Sequence, residues 1–344
     1  MKRFFGLTRE ELRKDFEKEP YRADQLLGWV YKRFETDFEK MSNLPKTLRK
    51  ELSSIYSFWN LELIDTLKAE DAIKFLFKTK DGLKIESVLI FEKDHLTLCV
   101  SSQVGCAVGC RFCSTAKDGL LRNLDPDEIL EQYMQVSILT GHRIRNVVFM
   151  GMGEPLANYE SVRKSARIMV SSWGLDLSKR RVSISTSGLI AQIKKMASDP
   201  LMRELNLAVS INAPTQSLRL ELMPISQTNT LDELFKTLYE YPLSKGRRIM
   251  LEYVLIKDLN DSLEHASQLL PYVLKKPHKF KVNLIPYNEE PGSCFKRPPL
   301  KRILAFQEVL KSHKIATHIR FSKGTEIFGA CGQLRSAYNP SLCG

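Results

Sequence analysis

Residues 96–113 read Leu96-Thr-Leu-Cys-Val-Ser-Ser-Gln-Val-Gly-Cys106-Ala-Val-Gly-Cys110-Arg-Phe-Cys113, a short strand-like run followed by three cysteines with C-x3-C-x2-C spacing. Three thiols in one glycine-containing loop are typical of a metal or cluster site, because thiolates bind zinc and iron–sulfur clusters. A closed structural zinc site takes four protein ligands, and no fourth Cys or His follows nearby. A 4Fe-4S cluster held by these three cysteines would keep one iron open for chemistry.

Two other interpretations of the three cysteines stay open. A zinc site would need a distant fourth ligand, for which Cys294, Cys331 and Cys343 are the candidates. A disulfide is the weaker alternative, because seven cysteines in a cytoplasmic chain indicate metal or redox chemistry.

The 344 residues are enough for one large domain and an accessory domain. The first ten residues become charged too early for a signal peptide, and no apolar run is long enough to cross a bilayer. We therefore expect a cytoplasmic protein without a membrane partner. A formal charge of +12 and a pI near 9.3 favour a polyanionic partner, although a solvated basic surface is the alternative.

The amino-terminal third predicts two small units. Up to about Tyr56 the pattern is helical and amphipathic, with Leu26 and Val30 on one face and Lys32 on the other. We expect a helical accessory domain over residues 1–70, either as a basic binding surface or as a packing cap. Strand-like runs on both sides of Asp81-Gly82 then predict a β-hairpin extension over residues 71–91.

From Leu96 onward, strand-like and helix-like segments alternate, which predicts an α/β fold with a parallel sheet and helices outside it. The sheet would be doubly wound or a partial barrel, over residues 92–322, with a C-terminal loop over 323–344. The predicted strands cover 96–100, 146–150, 181–186, 206–211, 249–256, 279–285 and 316–321. The predicted helices begin at Asp125 and then cover 159–171, 190–198, 231–241, 262–275 and 300–313.

Polar and glycine-rich segments follow these strands, at the edge where parallel α/β folds bind ligands. Gly153 would let a ligand approach the backbone, and Glu154 can accept from an ammonium group. Ser185, Ser210 and Asn288 can hydrogen-bond a ribose or a carboxylate. Each segment alone has an ordinary structural explanation, but together they suit S-adenosylmethionine, whose amino and carboxylate groups could occupy the open iron.

The cysteine spacing, with Phe112 before the third cysteine, resembles the radical S-adenosylmethionine superfamily. The similarity narrows to the RlmN/Cfr family of RNA adenosine methyltransferases, closer to RlmN, and spans nearly the whole chain. The matching segments are Arg22-Ala-Asp-Gln25, Leu98-Cys-Val-Ser-Ser-Gln-Val-Gly-Cys106, Phe112-Cys-Ser-Thr115, Gly151-Met-Gly-Glu-Pro155, Ser178-Lys-Arg-Arg181, Ser185-Thr-Ser-Gly188, Asn283-Leu-Ile-Pro286 and Ala330-Cys-Gly-Gln-Leu334.

The resemblance implies a partial (β/α)6 barrel that methylates C2 of an adenosine in 23S rRNA and of the adenosine 3′ of the anticodon in some tRNAs. It implies that one S-adenosylmethionine methylates Cys331, that a second yields a radical which activates this methyl group, and that a protein–RNA adduct forms. Cys99 would resolve the adduct through a disulfide with Cys331, and Glu86 would accept a proton.

The resemblance also implies the remaining site residues and partners. Cys106, Cys110 and Cys113 would hold a 4Fe-4S cluster, and S-adenosyl-L-methionine would bind at Gly153, Glu154, Ser185, Ser210, Ile211, Asn212 and Asn288. The enzyme would need an electron donor such as flavodoxin or ferredoxin. We expect it to be a monomer. The basic N-terminal helices would hold the RNA, whose target base must be splayed out.

Three segments depart from the family pattern. Ser210-Ile-Asn212 stands where Ser-Leu-His is usual, so we expect an altered cofactor contact at Asn212. Lys323-Gly-Thr-Glu-Ile327 with Gly329-Ala-Cys331 replaces Arg-Gly-x-Asp-Ile and Ala-Ala-Cys, and Tyr287 replaces Trp. Two alternative functions stay open: Cfr-like methylation at C8, and a non-catalytic zinc-stabilised RNA-binding protein.

Overall fold

The computed structural model describes residues 1–335. The amino-terminal segment comprises strand β1 (Lys2–Arg3), helices α1 (Arg9–Lys14), α2 (Tyr21–Leu27) and α3 (Lys46–Ile55), and strand β2 (Tyr56–Ser57), which pairs in parallel with β1. Helix α1 begins after Thr8 because Thr8 and Glu11 cap each other's backbone N–H groups reciprocally. The helical character predicted for this segment is confirmed as far as Ile55.

Three antiparallel strands follow, β3 (Glu62–Lys68), β4 (Ala72–Lys78) and β5 (Lys84–Phe91). The predicted hairpin is confirmed, and Gly82 takes the positive φ of 82° that its turn requires. Strand β3 lies inside the range 1–70 given to the helical accessory domain and was not predicted, because this half-exposed segment is an edge strand hydrogen-bonded to β4. The domain boundaries themselves stay a prediction.

The remaining chain alternates strands with helices. In order, its elements are β6 (Leu96–Cys99), β7 (Gln103–Gly105), β8 (Leu120–Asn123), α4 (Pro126–Thr140), β9 (Asn146–Phe149), α5 (Tyr159–Val170), β10 (Val182–Thr186), α6 (Ile190–Ser198), β11 (Asn206–Ser210), α7 (Gln216–Leu222), α8 (Leu231–Glu240), β12 (Ile249–Leu255), α9 (Leu263–Leu274), β13 (Phe280–Pro286), α10 (Leu300–Ser312) and β14 (Thr317–Ile319).

One ten-stranded sheet has the order β14-β13-β12-β11-β10-β9-β6-β5-β4-β3. Within this sheet β6 and the strands β9 to β14 are parallel, and β5 joins them antiparallel by pairing Val88 with Cys99. The central strands are almost entirely buried because helices cover the sheet, as their apolar composition requires. The predicted α/β fold is therefore confirmed, and all seven predicted parallel strands are present.

The amino-terminal helices pack onto the helices beside the sheet. Phe4 and Phe58 lie 5.0 Å apart between ring centroids in a buried aromatic cluster. Lys164 on α5 forms an ion pair of 2.8 Å with Glu11, and Asn60 donates to Glu131 on α4 at 2.7 Å. None of the helices in residues 1–335 is long and apolar enough to span a lipid bilayer.

Candidate active site

The three cysteines lie in the connection between β7 and β8, which form a small antiparallel sheet of their own. Gly105 closes this connection with a φ of 76°, and a Cβ placed there would lie 1.9 Å from the Gly119 carbonyl oxygen. The Cys106 N–H donates to the same carbonyl at 2.7 Å. Only glycine permits this approach at position 105, so the loop's conformation is fixed next to its first thiol.

All three thiols line one cavity, and burial raises their pKa values. Burial raises the pKa of Cys106 to about 12, and the neighbouring thiols raise that of Cys110 further. Backbone N–H groups of Val108 and Thr115 oppose these shifts by hydrogen-bonding the sulfurs of Cys106 and Cys113. Such thiols need a strongly bound cation to lose their protons, as they do when they ligate iron.

The donor set fits a cluster better than a single ion. No group of three His, Cys, Asp or Glu side chains within residues 1–335 lies close enough together to hold one metal ion. A four-iron cube is much larger than an ion, so its ligand sulfurs lie farther apart. Three half-buried cysteines facing one cavity therefore suit a 4Fe-4S cluster with an open iron. The zinc alternative lacks a preformed set of ligands in the described chain.

The cavity lies at the carboxyl ends of the parallel strands, as predicted. Its lining includes Met150 and Gly151 after β9, Ser185 and Thr186 of β10, Ser210 and Asn212 at β11, Glu252 and Val254 of β12, Ile285 of β13 with Tyr287 and Asn288 after it, Arg320 after β14, and Cys331. The sheet thus brings the cysteine loop, the strand-end polar groups and Cys331 to one place.

Glu154 is held rigidly inside the cavity wall. Its carboxylate accepts from the Ser187 N–H at 2.6 Å and from the Leu156 N–H at 3.0 Å. Burial raises its pKa, a cost that a ligand ammonium would offset. Gly153 before it has a φ of 97°, and a Cβ there would lie 2.5 Å from the Cβ of Gln103. The close packing of Gln103 therefore requires glycine at position 153, and the ligand contacts expected at Gly153 and Glu154 stay a prediction.

Two buried polar atoms at the cavity have no hydrogen-bond partner within the described chain: Glu252 Oε2 and Asn288 Oδ1. The Asn288 amide donates to Ser322 Oγ at 2.9 Å and to the Cys331 carbonyl at 3.1 Å, which directs its oxygen toward the cavity. Unpartnered buried polar atoms are costly, so a polar ligand would satisfy them. Ser185 and Ser210 line the same space as half-buried hydroxyls.

The surroundings of Ile211 and Asn212, which are also predicted to contact the cofactor, are distinct from those of the other residues. Ile211 does not line the cavity, because its side chain is buried in the hydrophobic core. Asn212 lines the cavity, but its Oδ1 accepts from the Val254 N–H at 2.9 Å and its amide faces the Met223 sulfur at 3.3 Å. Its positive φ of 58° suits an asparagine. The Asn212 side chain therefore hydrogen-bonds β12, and it has little hydrogen-bonding capacity left for a cofactor.

Cys331 connects this cavity to a second one, which is also lined by Cys99. Both thiols are free. Burial raises the pKa of Cys99 to about 12, the nearby Cys331 adds to this, and the Arg320 guanidinium opposes it. The two predicted sulfurs thus lie close together. Cys294 is exposed, and Cys343 lies outside the described residues.

Arg320 and Glu252 are cavity residues that the sequence did not reveal. The pKa of Arg320 is raised by the Cys331 and Glu252 charges, and its guanidinium forms no ion pair within residues 1–335. Its Nη1 approaches the Met150 sulfur at 3.5 Å. Burial raises the pKa of Glu252, and Asn283 donates to its Oε1 at 2.8 Å. The guanidinium therefore lies where it can stabilise a thiolate at either cysteine.

Glu86 is buried on β5 with an exposure of 1%. Glu86 does not line the main cavity. Its Oε1 lies 2.9 Å from Lys74 Nζ, and its Oε2 accepts from the Arg335 N–H at 2.9 Å. Burial nevertheless raises the pKa of Glu86, with the Lys74 ammonium opposing that shift. The predicted proton acceptor is thus covered by the segment that follows Cys331.

Two family models match the chain: "Ribosomal RNA large subunit methyltransferase N-terminal domain" over residues 3–57 and "Radical SAM superfamily" over residues 100–270. A probable dual-specificity RNA methyltransferase RlmN of Aquifex aeolicus is 60% identical over 96% of this chain and 96% of its own length. RlmN of Bdellovibrio bacteriovorus is 42% identical over 96% of this chain and 83% of its own. The crystal structure of a radical SAM methyltransferase from Sphaerobacter thermophilus superposes with a TM-score of 0.91 at 38% identity, covering 98% of this chain and 100% of that one.

Proposed function

Because this chain belongs to the RlmN family of radical S-adenosylmethionine RNA methyltransferases, we propose that it methylates C2 of an adenosine in 23S rRNA at the peptidyl transferase centre. We extend the proposal to the adenosine 3′ of the anticodon in some tRNAs. The cofactors are a 4Fe-4S cluster and S-adenosylmethionine. The observation that carries the proposal is Cys331, which shares one cavity with the three-cysteine loop and a second with Cys99.

Cys331 would carry the methyl carbon. When bound, the cluster and S-adenosylmethionine supply a methyl group and, after one-electron reduction by a donor such as flavodoxin or ferredoxin, a hydrogen-abstracting radical. The Cys331 thiolate, stabilised by Arg320, accepts the methyl group. Loss of hydrogen from that S-methyl group leaves a carbon radical on Cys331, which adds to C2 of the adenine. Transfer of the C2 proton to Glu86 and of one electron to a one-electron acceptor, a role that the oxidised cluster could fill, would then restore the aromatic ring, with the RNA attached through Cys331.

Cys99 would release the product. Its thiolate attacks the Cys331 sulfur, so that a Cys99–Cys331 disulfide forms and the methylene carbon takes up a proton to become the methyl group. A dithiol reductant must then reduce the disulfide. The closeness of the two sulfurs supports this step, and Arg320 lowers the cost of forming the attacking thiolate.

Glu86 would accept the C2 proton once the Arg335 N–H has moved away from its carboxylate. Removing such a base typically costs about 10²–10⁴-fold in rate, so Glu86→Gln should lose activity in that range. Only the ionised carboxylate can act, and burial raises its pKa above the ordinary 4.5. The methylation rate should therefore rise with pH through that raised value.

Lys74→Met should shift the rise of the methylation rate to higher pH, because the Glu86 carboxylate loses the ammonium that favours its ionised form. Breaking a buried pair costs about 3–5 kcal/mol, so folding is checked by circular dichroism. The matched control is Lys78→Met, which removes an exposed lysine from the same strand. In Lys78→Met the pH dependence of the rate should not change. An unchanged pH dependence in Lys74→Met as well would argue against Glu86 as the base.

Nucleoside mass spectrometry of methylated RNA tests the chemistry, with synthetic standards for 2-methyladenosine and 8-methyladenosine. Product at C2 supports the proposal, and product only at C8 would favour Cfr-like chemistry instead. Iron and sulfide analysis after anaerobic purification tests the cofactor. Stoichiometric zinc without iron would favour the alternative of a non-catalytic, zinc-stabilised RNA-binding protein. We further propose that the enzyme is cytoplasmic and monomeric. Light scattering of the purified protein tests the oligomeric state.

A further inference from the structure

A third cleft opens at the amino ends of β9 and β10, whereas the catalytic cavity lies at the carboxyl ends of the parallel strands. Its polar lining consists of Arg143, Arg145, Asp176, Ser178 and Arg181. Arg145 immediately precedes β9, and Arg181 immediately precedes β10. The four residues of β9 separate Arg145 from cavity-lining Met150, so five steps along the extended chain span roughly 16 Å at the usual rise per residue. The cleft is therefore distinct from the site of methylation.

The guanidinium groups of this cleft are not neutralised by acids. Arg143 donates to the Leu175 carbonyl at 3.0 Å, and Arg181 donates to the Asn146 side-chain oxygen at 3.0 Å. Arg145 has no ion pair within residues 1–335. Asp176 is the one acid among the described residues of the lining, and it lies 3.6 Å from Lys32. A positive excess therefore faces solvent at this cleft.

Lys32 brings the amino-terminal segment to the same place. Its Nζ is shielded from solvent and has no hydrogen-bond acceptor in the described chain, so Asp176 is a loose partner. Lys179 and Arg180, on the same turn as Arg181, are exposed and add two more positive charges. The charge thus continues from the helical segment to the sheet edge. The motif Ser178-Lys-Arg-Arg181, which the catalytic site does not use, lies at its centre.

We propose that this cleft binds backbone phosphates of the RNA substrate, at a segment remote from the methylated base. Guanidinium groups match phosphate oxygens in pairs, and three of them line one cleft. A protein partner fits less well, because interface cores are rich in apolar contacts. Here the apolar lining residues Ile144 and Leu177 are buried, which leaves a charged rim. The inference rests on RNA being the substrate.

Arg145→Gln/Arg181→Gln should weaken binding of full-length tRNA or a large 23S rRNA fragment by about tenfold near physiological salt, because two phosphate contacts are lost. The slope of log affinity against log salt should fall by about two. A short hairpin that presents only the target loop should bind equally to both proteins, since it would not reach this cleft. The matched control is Lys194→Gln/Lys236→Gln, which removes two exposed charges without ion pairs in the described chain.

Fluorescence anisotropy with the holoenzyme measures these affinities, and 5′-deoxyadenosine formation without RNA checks that the catalytic cavity is intact. A loss confined to the long RNA supports the inference. Equal binding of long RNA by the cleft variant and the control would overturn it, as would an equal loss for the short hairpin. Failure of the unmodified protein to bind any RNA would instead contradict the proposed function.

Discussion

Cys99→Ala should remain covalently attached to its RNA, whereas Cys331→Ala should form neither an adduct nor a methylated product. Cys331 adjoins both the cluster-facing cavity and Cys99, so it is the sulfur that can carry the methyl carbon and then be attacked. Without Cys99 the thioether has no thiol to resolve it. Without Cys331 the carbon has no carrier, and loss of a nucleophile of this kind costs roughly 10³-fold or more.

Denaturing gel electrophoresis with labelled RNA detects the adduct, and nuclease digestion with mass spectrometry locates it on Cys331. The matched control is Cys294→Ala, because Cys294 is free and exposed and lines neither cavity. This control should methylate normally. An adduct in Cys331→Ala, or full turnover by Cys99→Ala, would refute the division of labour between the two sulfurs.

Cys110→Ala should lose the cluster and with it all reductive cleavage of S-adenosylmethionine. Two cysteines cannot retain a cluster that needs three thiols of the loop. The other cysteine that lines the cavity, Cys331, is required as the methyl carrier. Methylation should therefore fall below detection, while RNA binding persists because the basic surface lies elsewhere. Iron and sulfide per chain, together with 5′-deoxyadenosine formation, measure the effect.

Cys331→Ala serves as the comparison for Cys110→Ala, since it should bind a full complement of iron although it also fails to methylate RNA. The two variants thus separate loss of the cluster from loss of the methyl carrier. Iron content in Cys110→Ala equal to that of the unmodified protein would contradict the assignment of the three-cysteine loop.

The parallel sheet was predictable because buried strands appear as short apolar runs between amphipathic helices. Strand β3 was missed because its half-exposed residues alternate irregularly and only its pairing with β4 makes it a strand. Helix α7, of seven residues, is too short for a clear apolar period. Local pattern therefore sufficed for the core but not for an edge strand or a single short helix.

The candidate site followed the same division. Residues directly after strands, such as Glu154 and Asn288, were found because topology alone brings strand ends together. The Lys74–Glu86 pair depends on register, since Lys74 faces Val88 and Glu86 faces Leu76, so the two charges are diagonal neighbours. The position of Arg320 beside Cys331 depends on how the C-terminal segment folds over the cavity. Sequence spacing carries no information about either contact.

The central claim is that this chain installs a methyl group on C2 of an rRNA adenosine. The most direct measurement is nucleoside mass spectrometry of 23S rRNA from a strain that lacks the chain, and from the same strain after the chain or its Cys331→Ala variant is restored. We predict that 2-methyladenosine at the peptidyl transferase centre disappears, returns with the intact chain and does not return with the variant. An unchanged level of 2-methyladenosine in the strain that lacks the chain, or restoration of 8-methyladenosine alone, would contradict the claim.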